Sequence, residues 1–309
     1  MRSVNYILAC TVVILAAACH SDDPFISKQQ AEALLKAKEA KPVEYVTAIV
    51  GNDVYWIRNF DNTPRKITNS TFVEKKHVRL SHDRAKIAFA DNSGHIIVID
   101  TTGNPMTTAT MTGDIISMDW SGNDKTLWML INGEIKFNGP AMNLPELEYD
   151  FGEEVISAAV TSSGSLLYIV RSPSGIGTYT ERLEIRGPAG SMTVNKQEGE
   201  IRHMETVRLS KDGENFVIGY SRSPGDDYLV KMGIYPLGEE FPTDEYETDS
   251  YIDPVFDVDS DYIVMAVSEN ENEFYLTAFY TKNEAFGDDK SKYKFDYSAE
   301  AGSIYVDWK

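Results

Sequence analysis

The sequence predicts an all-β protein, a six-bladed β-propeller of four-stranded blades, and three observations support this. First, the tetrapeptide Val-Arg-Leu-Ser occurs at Val78–Ser81 and again at Val207–Ser210. Second, looser copies of it occur elsewhere: Met118–Ser121, Ala158–Thr161, Phe256–Asp259 and Val306–Lys309. Third, the fourth residues of the copies are 40, 40, 49, 49 and 50 positions apart. A repeat of this length, with four short strands per unit, is typical of propellers.

Each predicted blade changes from apolar inner strands to polar outer strands. Second and third strands such as Lys86–Ala90 and His95–Ile99 are largely apolar on both faces, as expected for strands packed between neighbouring sheets. Fourth strands such as Pro64–Asn69 and Ser191–Gln197 are mixed or polar, which fits an outer rim. Turns rich in Asp, Asn, Gly and Ser separate the strands.

The first unit lacks an innermost strand, and the C-terminus supplies one. Val46–Val50, Val54–Arg58 and Pro64–Asn69 match the second, third and fourth strands of a blade. Ser303–Trp308 is a lone strand at the end of the chain. We therefore expect this strand to pair beside Val46–Val50 and close the ring, so that residues 43–309 form the propeller and leave no open edge.

The N-terminus has the layout of a secretory signal. Residues 1–18 contain Arg2 and a short apolar run, which predicts a signal peptide rather than a membrane span. Residues 19–42 are expected to form a tether and a short helix. The helix would begin at a capping box, Ser27–Gln30, and continue through Ala31–Lys41 to Pro42.

The junction Leu15–Cys19 resembles a bacterial lipobox, which implies a lipid on Cys19. The next residues, His20–Asp23, resemble the acidic surface-export signal of certain Gram-negative outer-membrane lipoproteins. The resemblance implies an outer-membrane protein anchored by lipid and facing the cell surface. A periplasmic orientation is the alternative.

Composition excludes several function classes. The 309 residues carry 29 Lys and Arg against 48 Asp and Glu, a net charge of −19, which disfavours binding to nucleic acid or to anionic lipid surfaces. Any membrane contact is therefore expected through the lipid alone. The only cysteines are Cys10 and Cys19, so the mature domain has no disulfide and no thiolate metal site.

The turns resemble those of the TolB-like six-bladed propeller superfamily. That group carries a Ser-x-Asp-Gly turn after the first strand, which Ser210–Gly213 matches fully and Ser81–Arg84 and Ser121–Asp124 match in part. The resemblance implies the architecture. It selects no activity, because such propellers serve as docking platforms, enzyme domains and sensors.

The second residue of the tetrapeptide suggests charge pairing around the channel. Around the ring it reads Asp307, Arg79, Asp119, Ala159, Arg208 and Asp257. Opposite charges fall on neighbouring units, which predicts ion pairs Asp307–Arg79–Asp119 and Arg208–Asp257 between blades. The alternative is a charged channel that binds a ligand.

A second set of residues recurs before the innermost strands, at the predicted channel mouth: Glu74, Asp114, Glu154 and His203. Three carboxylates and an imidazole are suitable ligands for a divalent cation. Ordinary acidic loops are the alternative explanation, and no other cofactor is predicted.

Two further motifs are better explained as turns. Ser81, His82 and Asp83 have the residue types of a hydrolase triad, but neighbours within one turn cannot converge on a substrate. Asp257–Asp261 resembles a calcium loop, but Tyr262 replaces the glycine that the loop needs. The segment Pro236–Pro242 is predicted to be a longer turn that leads into the acidic segment Thr243–Asp253, and this loop is the largest departure from the repeat.

The function predicted from these patterns is a monomeric envelope module that binds or scaffolds a protein or a glycan. No catalytic residue is assigned. One alternative is a glycan-active enzyme, a lyase or hydrolase with its active site at the channel mouth. A signalling or structural lipoprotein that has lost its ligand is another.

Overall fold

A computed structural model describes residues 45–58, 64–69, 73–161, 163–175, 178–187, 190–195, 202–210, 215–224, 229–237, 244–256, 262–270, 273–280, 292–295 and 304–308. The predicted signal peptide, Cys19, the tether and the helix lie outside these residues, as do Asp257 and the turn that it begins. The described residues are all strand, turn or irregular structure. No helix long and apolar enough to cross a membrane occurs among them.

The described residues form five antiparallel sheets. The first contains β1 (Tyr45–Val50), β2 (Asp53–Arg58), β3 (Arg65–Lys66) and the last strand, β22 (Ile304–Trp308). The second contains β4 (Lys75–Leu80), β5 (Lys86–Asp91), β6 (His95–Asp100) and β7 (Pro105–Thr110). The third contains β8 (Ile115–Trp120), β9 (Leu127–Ile131) and β10 (Glu134–Asn138). The fourth contains β11 (Glu154–Val160), β12 (Leu166–Gly175), β13 (Thr178–Gly187) and β14 (Gly190–Asn195). The fifth contains β15 (His203–Leu209), β16 (Asn215–Ser221), β17 (Leu229–Pro236), β18 (Asp244–Phe256), β19 (Tyr262–Asn270), β20 (Glu273–Tyr280) and β21 (Lys292–Phe295).

The prediction of six separate four-stranded blades was therefore wrong. The chain is an all-β propeller of five sheets, and the last of them is a continuous sheet of seven strands. The cause is β18, which is thirteen residues long. Its first half pairs with β17 and its second half pairs with β19, so one strand joins two repeat units. The acidic segment predicted as a loop at Thr243–Asp253 is mostly part of this strand.

The third sheet has three strands because the expected fourth is replaced by irregular chain. Residues 141–150 form no strand, and Pro140 and Pro145 remove two of the backbone donors that a ladder requires. Met142 and Leu147 instead pack against the core between the third and fourth sheets. The segment is further held by Glu148, whose backbone N–H donates to the Tyr168 hydroxyl at 3.0 Å.

The predicted pairing of the last strand with Val46–Val50 is confirmed. β22 lies antiparallel beside β1, with Val46 opposite Trp308, Ala48 opposite Val306, and Val50 opposite Ile304. Ala48 and Val306 are both fully buried. The last strand also contacts β4 of the second sheet and β18 of the fifth sheet, so the ring is closed through it.

The core lies between neighbouring sheets. Separate apolar clusters fill the spaces between the first and second sheets, the second and third, the third and fourth, and the fourth and fifth. The innermost strands contact one another in ring order: β22, β4, β8, β11, β15 and β18. Their shared side encloses the channel.

Four of the six copies of the tetrapeptide end in a hydroxyl, and that hydroxyl fixes the following turn. Ser81 Oγ donates to Asp83 Oδ1 at 2.6 Å and accepts from the backbone N–H of Lys86 at 2.9 Å. Ser121, Thr161 and Ser210 accept the corresponding backbone bond in their own turns. The interpretation of Ser81–Asp83 as a turn rather than a triad is thus confirmed.

Candidate functional site

Four of the six predicted channel positions surround one cavity. Asp119, Ala159, Arg208 and Asp307 come from four different innermost strands and line the same space. Arg79 is buried in β4, between the strands that carry Asp307 and Asp119. Four positions that share one place in the repeat therefore line a common cavity.

Two of these charged side chains join neighbouring sheets through backbone groups. Arg79 Nε donates to the Met118 carbonyl of the third sheet at 2.7 Å. The backbone N–H of Leu80 donates to Asp307 Oδ2 of the first sheet at 2.5 Å. These bonds stabilise the order of the sheets around the channel. The ion pairs predicted among the same side chains stay a prediction.

The four residues predicted at the channel mouth occupy the expected ends of the innermost strands. Glu74 and Asp114 directly precede β4 and β8, while Glu154 and His203 begin β11 and β15. Glu74 lies 3.5 Å from Lys76, and His203 binds Glu181. Among residues that the structure describes, no group of three or more His, Cys, Asp or Glu side chains could hold a metal. The divalent-cation site therefore stays a prediction without structural support.

A buried charge cluster at the channel mouth was missed by the sequence reasoning. The Glu181 side chain has no exposed surface and accepts from Arg171 Nε at 2.9 Å, from His203 Nδ1 at 2.9 Å and from the Met204 N–H at 2.8 Å. Arg171 Nη2 also lies 2.8 Å from Glu205 Oε1. The cluster ties the fourth sheet to the fifth. Its only sequence signal is a pair of opposite charges, Arg171 and Glu181, and these prove to face each other across β12 and β13.

The β12–β13 hairpin is longer than the others and is held on both sides. Each strand has ten residues, and the end of the hairpin is exposed. On the side opposite the Glu181 cluster, Glu153 Oε1 accepts from Arg182 Nη1 at 2.5 Å and from the Ser172 hydroxyl at 2.7 Å. Glu153 Oε2 also accepts from the Asp150 N–H at 2.7 Å. One carboxylate thus binds the hairpin and fixes the turn before β11.

That fixed turn exposes aromatic side chains. Phe151 is fully exposed, and Tyr149 is 39% exposed. Tyr179, near the end of the hairpin, is 40% exposed and lies edge-on to His203 with ring centroids 6.1 Å apart. We call Tyr149 and Phe151 the aromatic rim. Outside the rim, the large hydrophobic side chains found exposed among described residues are Tyr179 and Met106, the latter on outer strand β7.

Glu153 is expected to make stability depend on pH in acid. The hydrogen bond from Arg182 lowers the pKa of Glu153 to about 2 from an ordinary 4.5. A lowered folded pKa stabilises the fold fully above the unfolded value, and that stabilisation is lost as the pH falls from about 4.5 to about 2. We expect Glu153→Gln to be less stable than wild type at pH 6, by about 1–3 kcal/mol, and nearly equal at pH 2.

Urea unfolding of both proteins across this pH range measures the difference. Glu146→Gln serves as the control, because Glu146 is an exposed carboxylate in the same segment. A stability difference between wild type and Glu153→Gln that stays constant from pH 6 to pH 2 would contradict the assignment.

Histidine–carboxylate pairs occur at several places in this protein, so such a pair does not by itself indicate a catalytic site. His82 Nδ1 lies 2.8 Å from Asp124 Oδ1 and joins two turns of neighbouring sheets. His95 Nδ1 lies 2.9 Å from Asp91 Oδ2 within one hairpin. The His203–Glu181 pair differs in lying at the channel mouth beside Tyr179.

Comparison with known proteins identifies no family. No protein-family model matches the chain. No curated protein matches it either. Among solved structures, a chain titled Kuenenia stuttgartiensis Hydrazine Synthase is similar, with a TM-score of 0.49 and 10% identity, over 74% of this chain and 70% of that one.

Proposed function

We propose that this chain is a lipid-anchored, extracytoplasmic β-propeller of the TolB-like kind that binds an envelope partner through the aromatic rim. The proposed partner is a protein, and a glycan is the alternative. The fold is compatible with a binding or scaffolding module, and the anchor follows from the resemblance of Leu15–Cys19 to a lipobox.

The observation that carries the proposal is the full exposure of Phe151 on a fixed turn. An exposed phenylalanine gains roughly 1.5–3 kcal/mol when it is buried, so a partner pocket for this ring has a large driving force. Aromatic anchors of this kind dominate protein interfaces. Because Glu153 already orders the turn, little conformational entropy is lost on binding.

Replacing Phe151 by serine is expected to lower partner binding at least tenfold without destabilising the fold. The matched control is Met106→Ser, which removes an exposed apolar side chain from the outer strand β7. The measurement is cross-linking in intact cells from a photoreactive residue placed at Asp150, with the yield of the adduct compared between variants. Equal yields for Phe151→Ser and the wild type would reject the aromatic rim as the docking surface.

The anchor is tested separately. A Cys19→Ala protein is expected to leave the membrane fraction while keeping the fold of residues 43–309. Continued fractionation with membranes would reject lipidation of Cys19.

A glycan-active enzyme is the second candidate, and the His203–Glu181 pair favours it. Glu181 accepts from Nδ1 and thereby orients the ring, leaving Nε2 without a hydrogen-bond partner among the residues described. Such a histidine can act as a general base for a sugar bound against Tyr179. Turnover of envelope glycans that is lost in His203→Gln but kept in the control His95→Gln would support this candidate, and no turnover by wild type would reject it.

A further inference from the structure

The channel wall contains one gap, and the repeat explains it. The second tetrapeptide residue is charged in five units and is alanine only at Ala159. The cavity lies beside this alanine, because no long side chain fills the position. Its remaining lining residues are Asp119, Trp128, Ala158, Val160, Arg208, Leu209 and Asp307.

Trp128 is a buried donor at this cavity. The side chain belongs to a residue that is only 2% exposed, and its indole N–H has no hydrogen-bond partner among described residues. A buried donor left without an acceptor destabilises the folded state. Apolar neighbours such as Leu130, Val155 and Ala158 surround the ring and offer no acceptor from their side chains. An acceptor that enters the cavity would remove this destabilisation.

The charges on the wall restrict what that acceptor can be. Arg208 supplies further donors, whereas Asp119 and Asp307 supply acceptors. An anion would meet two carboxylates, and a cation could not accept from the indole. A neutral group that both accepts and donates hydrogen bonds fits the donors and the carboxylate acceptors of this wall. The space, about 20 Å³ for water-sized groups, suits a water molecule or one hydroxyl and is too small for a sugar ring.

We propose that this cavity is a binding site for a hydroxyl group of a small neutral polyol, with water in its place when no polyol is present. The hydroxyl oxygen accepts from Trp128 Nε1–H and from Arg208, and the hydroxyl proton is donated to Asp119 or Asp307. This site is independent of the aromatic rim.

The indole N–H resonances in ¹H–¹⁵N NMR spectra test the proposal directly. Trp128→Phe assigns the Trp128 signal, and the signals of Trp56 and Trp120 report on the rest of the fold. Titration with ethylene glycol is expected to shift the Trp128 signal to saturation and to leave the Trp56 and Trp120 signals unchanged. Equal concentrations of sodium acetate or methylammonium chloride are expected to leave the Trp128 signal in place.

A larger side chain at position 159 fills the cavity and provides the matched variant for this titration. Ala159→Asn is expected to abolish the ethylene glycol shift while the Trp56 and Trp120 signals keep their positions, and the smaller Ala159→Ser repeats the test if asparagine disturbs the fold. Three results would overturn the proposal: no saturable shift with ethylene glycol, a comparable shift with either charged probe, or a shift that survives in both variants.

Discussion

Replacing Val306 by aspartate is expected to unfold the protein. Val306 lies in the last strand, directly opposite Ala48, and neither side chain has any exposed surface. Aspartate there would bury a carboxylate among apolar groups and disrupt the pairing that closes the ring. A cost of several kcal/mol is comparable with the whole stability of a typical domain, about 5–15 kcal/mol.

Circular dichroism during thermal unfolding measures this effect. We expect the cooperative transition to disappear, or its midpoint to fall by more than 10 °C. Met106→Asp places the same charge on an exposed outer strand and is expected to change stability by less than about 0.5 kcal/mol. A Val306→Asp protein as stable as this control would mean that the last strand contributes nothing to closure.

Removing the Glu181 carboxylate is expected to cost about 3–5 kcal/mol, because Arg171 and His203 would remain without their shared acceptor. The expected result for Glu181→Ala is a large loss of stability at neutral pH. Glu134→Ala is the control, since that carboxylate is exposed and, among the described residues, pairs with Lys136 alone.

A double-mutant cycle separates the ion pair from the other contacts of Glu181. Replacing Arg171 by methionine and Glu181 by leucine together is expected to destabilise much less than the sum of the two single changes, because neither member of this pair is then left buried without the other. Additive losses in free energy of unfolding would show that the two side chains do not interact.

Repetition made much of the fold predictable. The hydroxyl at Ser81 and Ser210 recurs because each turn needs a side-chain acceptor for a backbone N–H, so the period was visible in the sequence. The lone strand at the C-terminus predicted the pairing with β1, and β22 lies antiparallel beside β1.

The errors arose where strand pairing overrides a local pattern. The acidic composition of Thr243–Asp253 predicted a loop, but partners on both edges hold this segment in an extended strand. The third sheet lacks its fourth strand because Pro140 and Pro145 interrupt a segment that still packs through Met142 and Leu147. Neither outcome follows from the residues alone.

The candidate site was predicted only where it repeats. Asp119, Arg208 and Asp307 were placed at the channel because they share one position in the repeat. The Glu181 cluster and the contacts of Glu153 with the hairpin depend on the register between β12 and β13, which no short-range pattern encodes. The sequence did not indicate that Phe151 is exposed, because its exposure depends on the fixed turn around it.

An engineered disulfide between the last strand and β1 tests whether the last strand closes the ring. With Cys10 and Cys19 replaced by serine, cysteines at Ala48 and Val306 are the only thiols, and their direct pairing suits disulfide geometry. We expect an intramolecular disulfide on mild oxidation, with a higher midpoint of thermal unfolding. Cysteines at Ala48 and Tyr305 are one residue out of register and should not join. Failure of the in-register pair to form the bond, or equal bonding by both pairs, would contradict the closure.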